Sequence, residues 1–254
     1  MTYSSAIFQN HSETLAEAQE RKYRRLCALL KLTPEDHVLE IGCGWGGFAE
    51  FAARHYGCRV TAVTVSEQQA AFARVRIHLA GLTSKVEVRL RDYRDITGRF
   101  SAIASVEMFE AVGERNWPKY FEHLRRCLAP GGRAAIQTIT IAENKFESYR
   151  RNVDFIQRYI FPGGMLPSPS RFRQGAASAS FTIADEYYFG HDYAETLRRW
   201  ALAFNEEWPA VARLGFDTRF RRMWNYYLSY CEVRFRTKHL DVAQFLLVKG
   251  QDAR

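Results

Sequence analysis

Four glycines in six residues, Gly42, Gly44, Gly46 and Gly47, follow the apolar run Val38-Leu39-Glu40-Ile41 and precede the helical pattern Phe48-Ala49-Glu50-Phe51-Ala52. Strand, glycine turn and helix in that order open a nucleotide-binding unit. Glycine suits the turn because the backbone takes positive φ and admits a ligand where a Cβ would stand. A dinucleotide would call for an acid about 20 residues after the glycines, to hold the ribose. The strand end at that distance is Val63-Thr64-Val65-Ser66, which carries no carboxylate. The acid is instead Glu40, inside the first strand and two residues before Gly42. The five cysteines, Cys27, Cys43, Cys58, Cys127 and Cys231, are scattered without C-x-x-C spacing. That pattern argues for reduced thiols, a cytoplasmic setting and no metal site.

The elements that must carry this turn follow a regular rhythm. A helix is predicted over 12–30, capped by Ser12, and strands over 37–41, 59–64, 86–90, 102–106 and 133–141. Helices over 66–80 and 117–128 separate them, the first stopping at Gly81 and the second at Ala129-Pro130-Gly131-Gly132. Such alternation predicts an α/β, Rossmann-like, doubly wound and mostly parallel sheet. After Ile141 the rhythm breaks into a helix over 145–160, then loop and short helix over 165–180. A strand over 182–189, helices over 193–205 and 216–236, and a final antiparallel strand over 241–248 complete the chain. Residues 142–180 read as a helical cap insertion over the carboxyl ends of the strands, within a single domain spanning 1–254.

Composition narrows the partners. The 254 residues are 47% apolar and 14% aromatic, enough for a packed core. No run approaches the roughly 20 apolar residues of a membrane helix, and Met1-Thr2-Tyr3-Ser4-Ser5 lacks the features of a secretory signal. The net charge of +8 suits an anionic lipid surface. Much of it falls late, at Arg150, Arg151, Arg171, Arg173, Arg198, Arg199, Arg219, Arg221 and Arg222, with Trp224, Tyr226 and Tyr227 close by. With no RNP or zinc-finger pattern, a nucleic-acid partner is not expected.

Glu40 with its glycines, E-x-G-x-G-x-G, resembles motif I of S-adenosylmethionine-dependent methyltransferases, and Pro130-Gly131-Gly132 before the fifth strand is a further feature of that family. The resemblance narrows with G-C-G-W-G-G, T-V-S-E-Q-Q (Thr64 to Gln69), R-D-Y-R-D (Arg91 to Asp95), M-F-E (Met108 to Glu110), R-Y-I-F-P-G-G-M-L-P-S (Arg158 to Ser168) and Y-L-S-Y-C (Tyr227 to Cys231). Over essentially the whole chain these strings look like cyclopropane-fatty-acyl-phospholipid synthases. The resemblance implies that Tyr3 and Ser4 close over S-adenosylmethionine. It places Glu40, Gly42, Gly44 and Gly46 on the cofactor's amino-acid and ribose parts, Thr64 and Gln69 on its polar groups, and Asp92 and Tyr93 at the adenine. Because the chain begins almost on the family's Y-S-C motif, the resemblance implies either a trimmed amino terminus or an abbreviated lid, and weak cofactor affinity for this form.

An alkene is a weak nucleophile, so a methyl must be held in line with its π bond at close range. The resulting carbocation needs a dry apolar pocket with aromatic faces, and a base must then remove a proton. Loss from the added methyl closes a cyclopropane; loss from a neighbouring carbon gives a methyl-branched or methylene-bearing chain. The resemblance implies bicarbonate as that base. Its ligands map onto Glu110, Tyr193 and the backbone of Ile139, with Ser5 and Gln137 where the family has Cys and His. Ser and Gln bring no group that titrates near neutral pH, so the departure weakens the bicarbonate site and favours the branched or methylene product. The expected substrate is an unsaturated fatty acyl chain of phospholipid, met at the inner membrane face. A small-molecule N-methyltransferase is the alternative on this fold, and a non-catalytic surface-binding module the less favoured one.

Overall fold

The computed structural model describes residues 1–10 and 12–249. Its sheet comprises β1 (His37–Ile41), β2 (Arg59–Thr64), β3 (Val86–Leu90), β4 (Phe100–Val106), β5 (Leu128–Ile141), β6 (Phe181–Tyr188) and β7 (Leu240–Lys249). They lie in the order β3-β2-β1-β4-β5-β7-β6. The pairs β1–β2, β1–β4, β2–β3 and β4–β5 are parallel, and β7 runs antiparallel between β5 and β6. Strand order reverses between β1 and β4, so a crevice opens at their carboxyl ends, where such sheets bind ligands.

Helices α1 (Leu15–Leu30), α2 (Gly47–Tyr56), α3 (Glu67–Leu79) and α4 (Trp117–Cys127) accompany the parallel strands. Between β5 and β6 come α5 (Glu143–Arg151), α6 (Phe155–Tyr159) and α7 (Pro169–Ser178); α8 (Gly190–Glu206), α9 (Trp208–Arg213) and α10 (Thr218–Arg236) precede β7. Two apolar layers clamp the sheet. Tyr23, Leu26, Phe48 and Ile77 cover one face, and Phe109, Phe121, Phe172 and Phe245 the other. Burial on both faces explains the near-continuous apolar strands.

Several element boundaries differ from the sequence expectation. Helix α1 starts at Leu15 because Thr14 and Glu17 form a reciprocal capping box; the Ser12 hydroxyl donates to Asn10 instead. The helix expected over 145–160 divides because Asp154 accepts the Gln157 N–H and caps a new start at α6. Strand β5 begins at Leu128 and runs through Pro130-Gly131-Gly132, which had been expected as a turn. A Cβ on Gly132 would lie 2.8 Å from the Ser101 carbonyl of β4. Helix α9 had no counterpart in the expectation.

Candidate active site

Two cavities meet at the crevice. The smaller, about 220 Å³, is walled by Ser4, Glu40, Gly42, Gly44, Trp45 and Gln69, among others. Gly42 takes φ +78°, and a Cβ there would lie 2.6 Å from Met108 Cγ. Gly44 takes φ +52° beneath open space. Glu40 is 2% exposed, and its Oε2 has no hydrogen-bond partner among the described residues. Burial pushes its carboxyl up to about 8, against the opposing charges of Arg76 and Lys22. A buried oxygen without a partner implies a donor from outside the chain. Amino and hydroxyl groups of S-adenosylmethionine fit that need, and the bare glycines leave it room.

The larger cavity, about 450 Å³, is mainly apolar. Tyr149, Ile160 and Leu166 of the 142–180 segment face Tyr227, Phe235 and Leu240 across it. Tyr3, Glu107 and Ala111 line both cavities and form their common wall.

Two carboxyls define the chemistry of that wall, and their surroundings differ. Glu107 follows β4 and takes φ +50°, a left-handed conformation that an ordinary side chain adopts at a cost. Its Oε1 accepts the Ser5 N–H at 2.9 Å and Gln137 Nε2 at 2.7 Å. Its Oε2 accepts the Tyr193 hydroxyl at 2.6 Å. Burial raises its pKa, while the Tyr193 hydroxyl, the Lys22 ammonium and the other two donors oppose that rise. Glu110 lies one short turn further on. Its Oε1 accepts the Ile139 N–H at 2.6 Å and the Thr138 hydroxyl at 3.1 Å. Its Oε2 is buried without a hydrogen-bond partner among the described residues. Burial, then repulsion from Glu107, pushes Glu110 up to about 8. Three donors favour the ionised form of Glu107, and an orphan oxygen favours the protonated form of Glu110. Environments that push paired acids apart in this way separate base from acid.

The remaining predicted residues are placed unevenly. Tyr3 stacks on Trp200 at 5.1 Å, and its hydroxyl meets that of Tyr227 at 2.8 Å. Tyr193 stacks on Phe235 at 4.4 Å, and burial holds its phenol well above its usual range. The Ser5 side chain does not face the site: its hydroxyl donates to the Ala6 carbonyl, and its backbone N–H reaches Glu107. Gln137 reaches Glu107 while accepting from Gln244, which holds the amide in register. Ser5, Gln137 and Tyr193 therefore all turn their donors on Glu107, and the Ile139 N–H is spent on Glu110. In this arrangement the chain's own carboxylates take those four donors, and the Ser5 hydroxyl is turned to Ala6.

Four expected cofactor residues lie outside the wall of the smaller cavity. Gly46 caps α2 and packs so close to Ala73 of α3 that a Cβ would lie 3.0 Å away. Thr64 donates to Gln69 Oε1, which reaches the wall in its place. Asp92 is paired with Arg94, and Tyr93 lies edge-on to Tyr120 and His123. Glu107 went unrecognised in the sequence, although the pattern E-M-F-E sets a second acid three residues before Glu110. Lys22, fully buried behind Ser4, gave no signal inside an amphipathic helix.

The family model for mycolic acid cyclopropane synthetase matches residues 1–245. The chain is 42% identical to the tuberculostearic acid methyltransferase UfaA1 of Mycobacterium tuberculosis, over 98% of this chain and 60% of that protein. It is 38% identical to the cyclopropane-fatty-acyl-phospholipid synthase of Escherichia coli K12, over 98% of this chain and 63% of that one. It thus spans about three fifths of the length of these relatives. Its backbone superposes with TM-score 0.91 on mycolic acid cyclopropane synthase CmaA1 complexed with SAH and CTAB, at 29% identity over 98% of this chain and 90% of that one.

Proposed function

Since the chain belongs to the mycolic acid cyclopropane synthetase family, we propose that it transfers a methyl group from S-adenosylmethionine to the double bond of an unsaturated fatty acyl chain, with Glu107 as the base. When bound, the cofactor supplies an electrophilic methyl. The Glu40 carboxyl, Gly42, Gly44 and Gln69 would hold it, with Tyr3 and Ser4 closing one side and its methyl directed at the wall shared with the larger cavity. That cavity takes the acyl chain, and the rings of Tyr149, Tyr193, Tyr227 and Phe235 face the carbon that becomes electron-poor.

One observation carries the reading: Glu107 lines both cavities and accepts hydrogen bonds from the groups that would otherwise hold a free anion. A fixed carboxylate removes the proton it can reach: loss from the chain carbon beside the cation leaves a methyl-branched alkene, loss from the methyl after a 1,2-hydride shift leaves a methylene, and we favour these products over a cyclopropane. The protonated Glu110 beside it limits repulsion in the wall.

The substrate is met at an anionic lipid surface. Phe161, which lines the larger cavity, and Tyr159 and Tyr226, which both pack on Phe155, are each about half exposed; Arg158 lies over the Tyr159 ring, and Arg222 stands one turn before Tyr226 on α10. Exposed aromatic and basic groups of this kind suit a headgroup layer. No described helix is long and apolar enough to cross a membrane. The chain acts as a single domain, with 142–180 as its cap.

Incubation with methyl-labelled S-adenosylmethionine and vesicles of unsaturated phospholipid tests the proposal. Label is expected in the acyl chains, at a rate unchanged when bicarbonate is stripped from the buffer. Label in an added amine but not in lipid would overturn the substrate, and mass spectra showing cyclopropane alone would overturn the product.

A further inference from the structure

Lys22 of α1 is fully buried, the one lysine or arginine so placed among the described residues. Burying an ammonium costs several kcal/mol unless nearby groups compensate it. Its Nζ donates to Ser4 Oγ at 2.6 Å and lies 4.5 Å from the centroid of the Tyr23 ring. A neutral side chain would serve Ser4 at far smaller cost, so the hydrogen bond alone does not account for a charge. Glu40 from β1 and Glu107 from the end of β4 both act on it. Around these acids stand Arg76 of α3, which acts on Glu40, and Glu110, which acts on Glu107. Tyr193 of α8 donates to Glu107, with the phenols of Tyr3 and Tyr227 beyond it. Two buried carboxyls, Glu40 and Glu107, thus face one fully buried amine; burial lowers its pKa to about 7 and the two acids oppose that fall.

The same lysine belongs to a strap. Gln19 Nε2 donates to the Ser4 carbonyl, the Ser5 N–H to Glu107, and the Ala6 N–H to Thr196 of α8. Residues 3–6 are therefore tied to α1, to the end of β4 and to α8 along the wall between the cavities. We propose that Lys22 is a positioning residue that keeps Glu107 ionised in the closed site while seating the strap through Ser4. This inference deepens the reading of Glu107 as base and names the group that holds its charge. A cation in a low-dielectric interior acts strongly on a carboxylate it does not touch. Removing it destabilises the charged form, so the Glu107 pKa must rise.

Infrared titration of the cofactor-free protein reads this directly, with the E107Q variant supplying the difference spectrum. In Lys22→Met the Glu107 carboxylate band is expected to titrate about one pH unit higher, a tenfold change in protonation equilibrium. Lys22→Gln keeps a donor for Ser4 without the charge and should show the same shift, whereas Lys22→Arg should restore the midpoint. The acidic limb of the pH–rate profile should move by the same amount in Met and Gln variants. An unmoved midpoint in Lys22→Gln, or a shift that Lys22→Arg fails to reverse, overturns the proposal. If the midpoint moves while E107Q still transfers methyl groups at the wild-type rate, Lys22 keeps its role and Glu107 loses its own.

Discussion

At Glu107, three donors converge on one buried carboxylate, and a substitution there should separate binding from chemistry. Glu107→Gln keeps the shape and the Gln137 neighbourhood but cannot accept a proton. Methyl transfer should fall about a hundredfold or more, the range of a lost general base, while calorimetric binding of S-adenosylhomocysteine stays within a few-fold. Retained turnover would remove Glu107 from the mechanism. Glu110 makes a different prediction. Its carboxyl is pushed up to about 8 from an ordinary 4.5, so the folded state holds the proton more tightly than the unfolded chain. The stability from this group is full below the unfolded value and is lost as pH rises through the folded one. Glu110→Gln should therefore flatten the decline of the melting temperature between about pH 5 and pH 8. An unchanged slope would mean that Glu110 is already ionised. Glu110, through its M-F-E string, and Tyr193, through the resemblance alone, were expected at the site, and both line the larger cavity, but their partners were not legible. Ile139 N–H meets Glu110 only because β5 lies beside β4, 29 residues later in the chain.

At the scale of elements, the β1–α2 turn has two glycines with different reasons to be glycine. At Gly42 a side chain meets Met108 within 2.6 Å, in a backbone region that L-residues avoid. Gly42→Ala should lower the melting temperature by a few degrees, as expected for about 1–2 kcal/mol of strain. At Gly44, which lines the smaller cavity, the space above is open, so a methyl clashes with nothing in the fold and takes up room the proposed cofactor would need. Gly44→Ala should weaken S-adenosylhomocysteine binding more than Gly42→Ala for an equal loss of stability, measured by calorimetry beside thermal melts. The turn itself was readable, because glycine spacing after an apolar run encodes local backbone geometry. The capping choices that set α1 and α6 were less so. Ser12, Thr14 and Asp154 are all competent caps by type, and the choice among them depends on reciprocal partners such as Glu17 and Gln157.

At the scale of the molecule, the aromatic and basic side chains Arg158, Tyr159, Phe161, Arg222 and Tyr226 all come late in the chain, and Phe161 among them lines the larger cavity. Replacing Arg158 and Arg222 together with Glu should weaken partition onto anionic vesicles by tenfold or more at low salt, given about 1 kcal/mol for each basic group near such a surface. Binding to zwitterionic vesicles should hardly change; equal loss on both would remove the electrostatic part of the docking surface. By itself the sequence determined the sheet class, the cofactor turn and the family, because hydrophobic period, glycine spacing and short strings are local properties of the chain. Only the tertiary structure decided which carboxylate holds the centre of the site. Ser5, Gln137 and Tyr193 are 188 residues apart at their extremes, and their donors meet on Glu107 only after the strap, β5 and α8 have packed around the end of β4. Hydrogen bonds between distant segments leave no period or spacing in a sequence, which is why the glycine turn could be read there and the donors gathered on Glu107 could not.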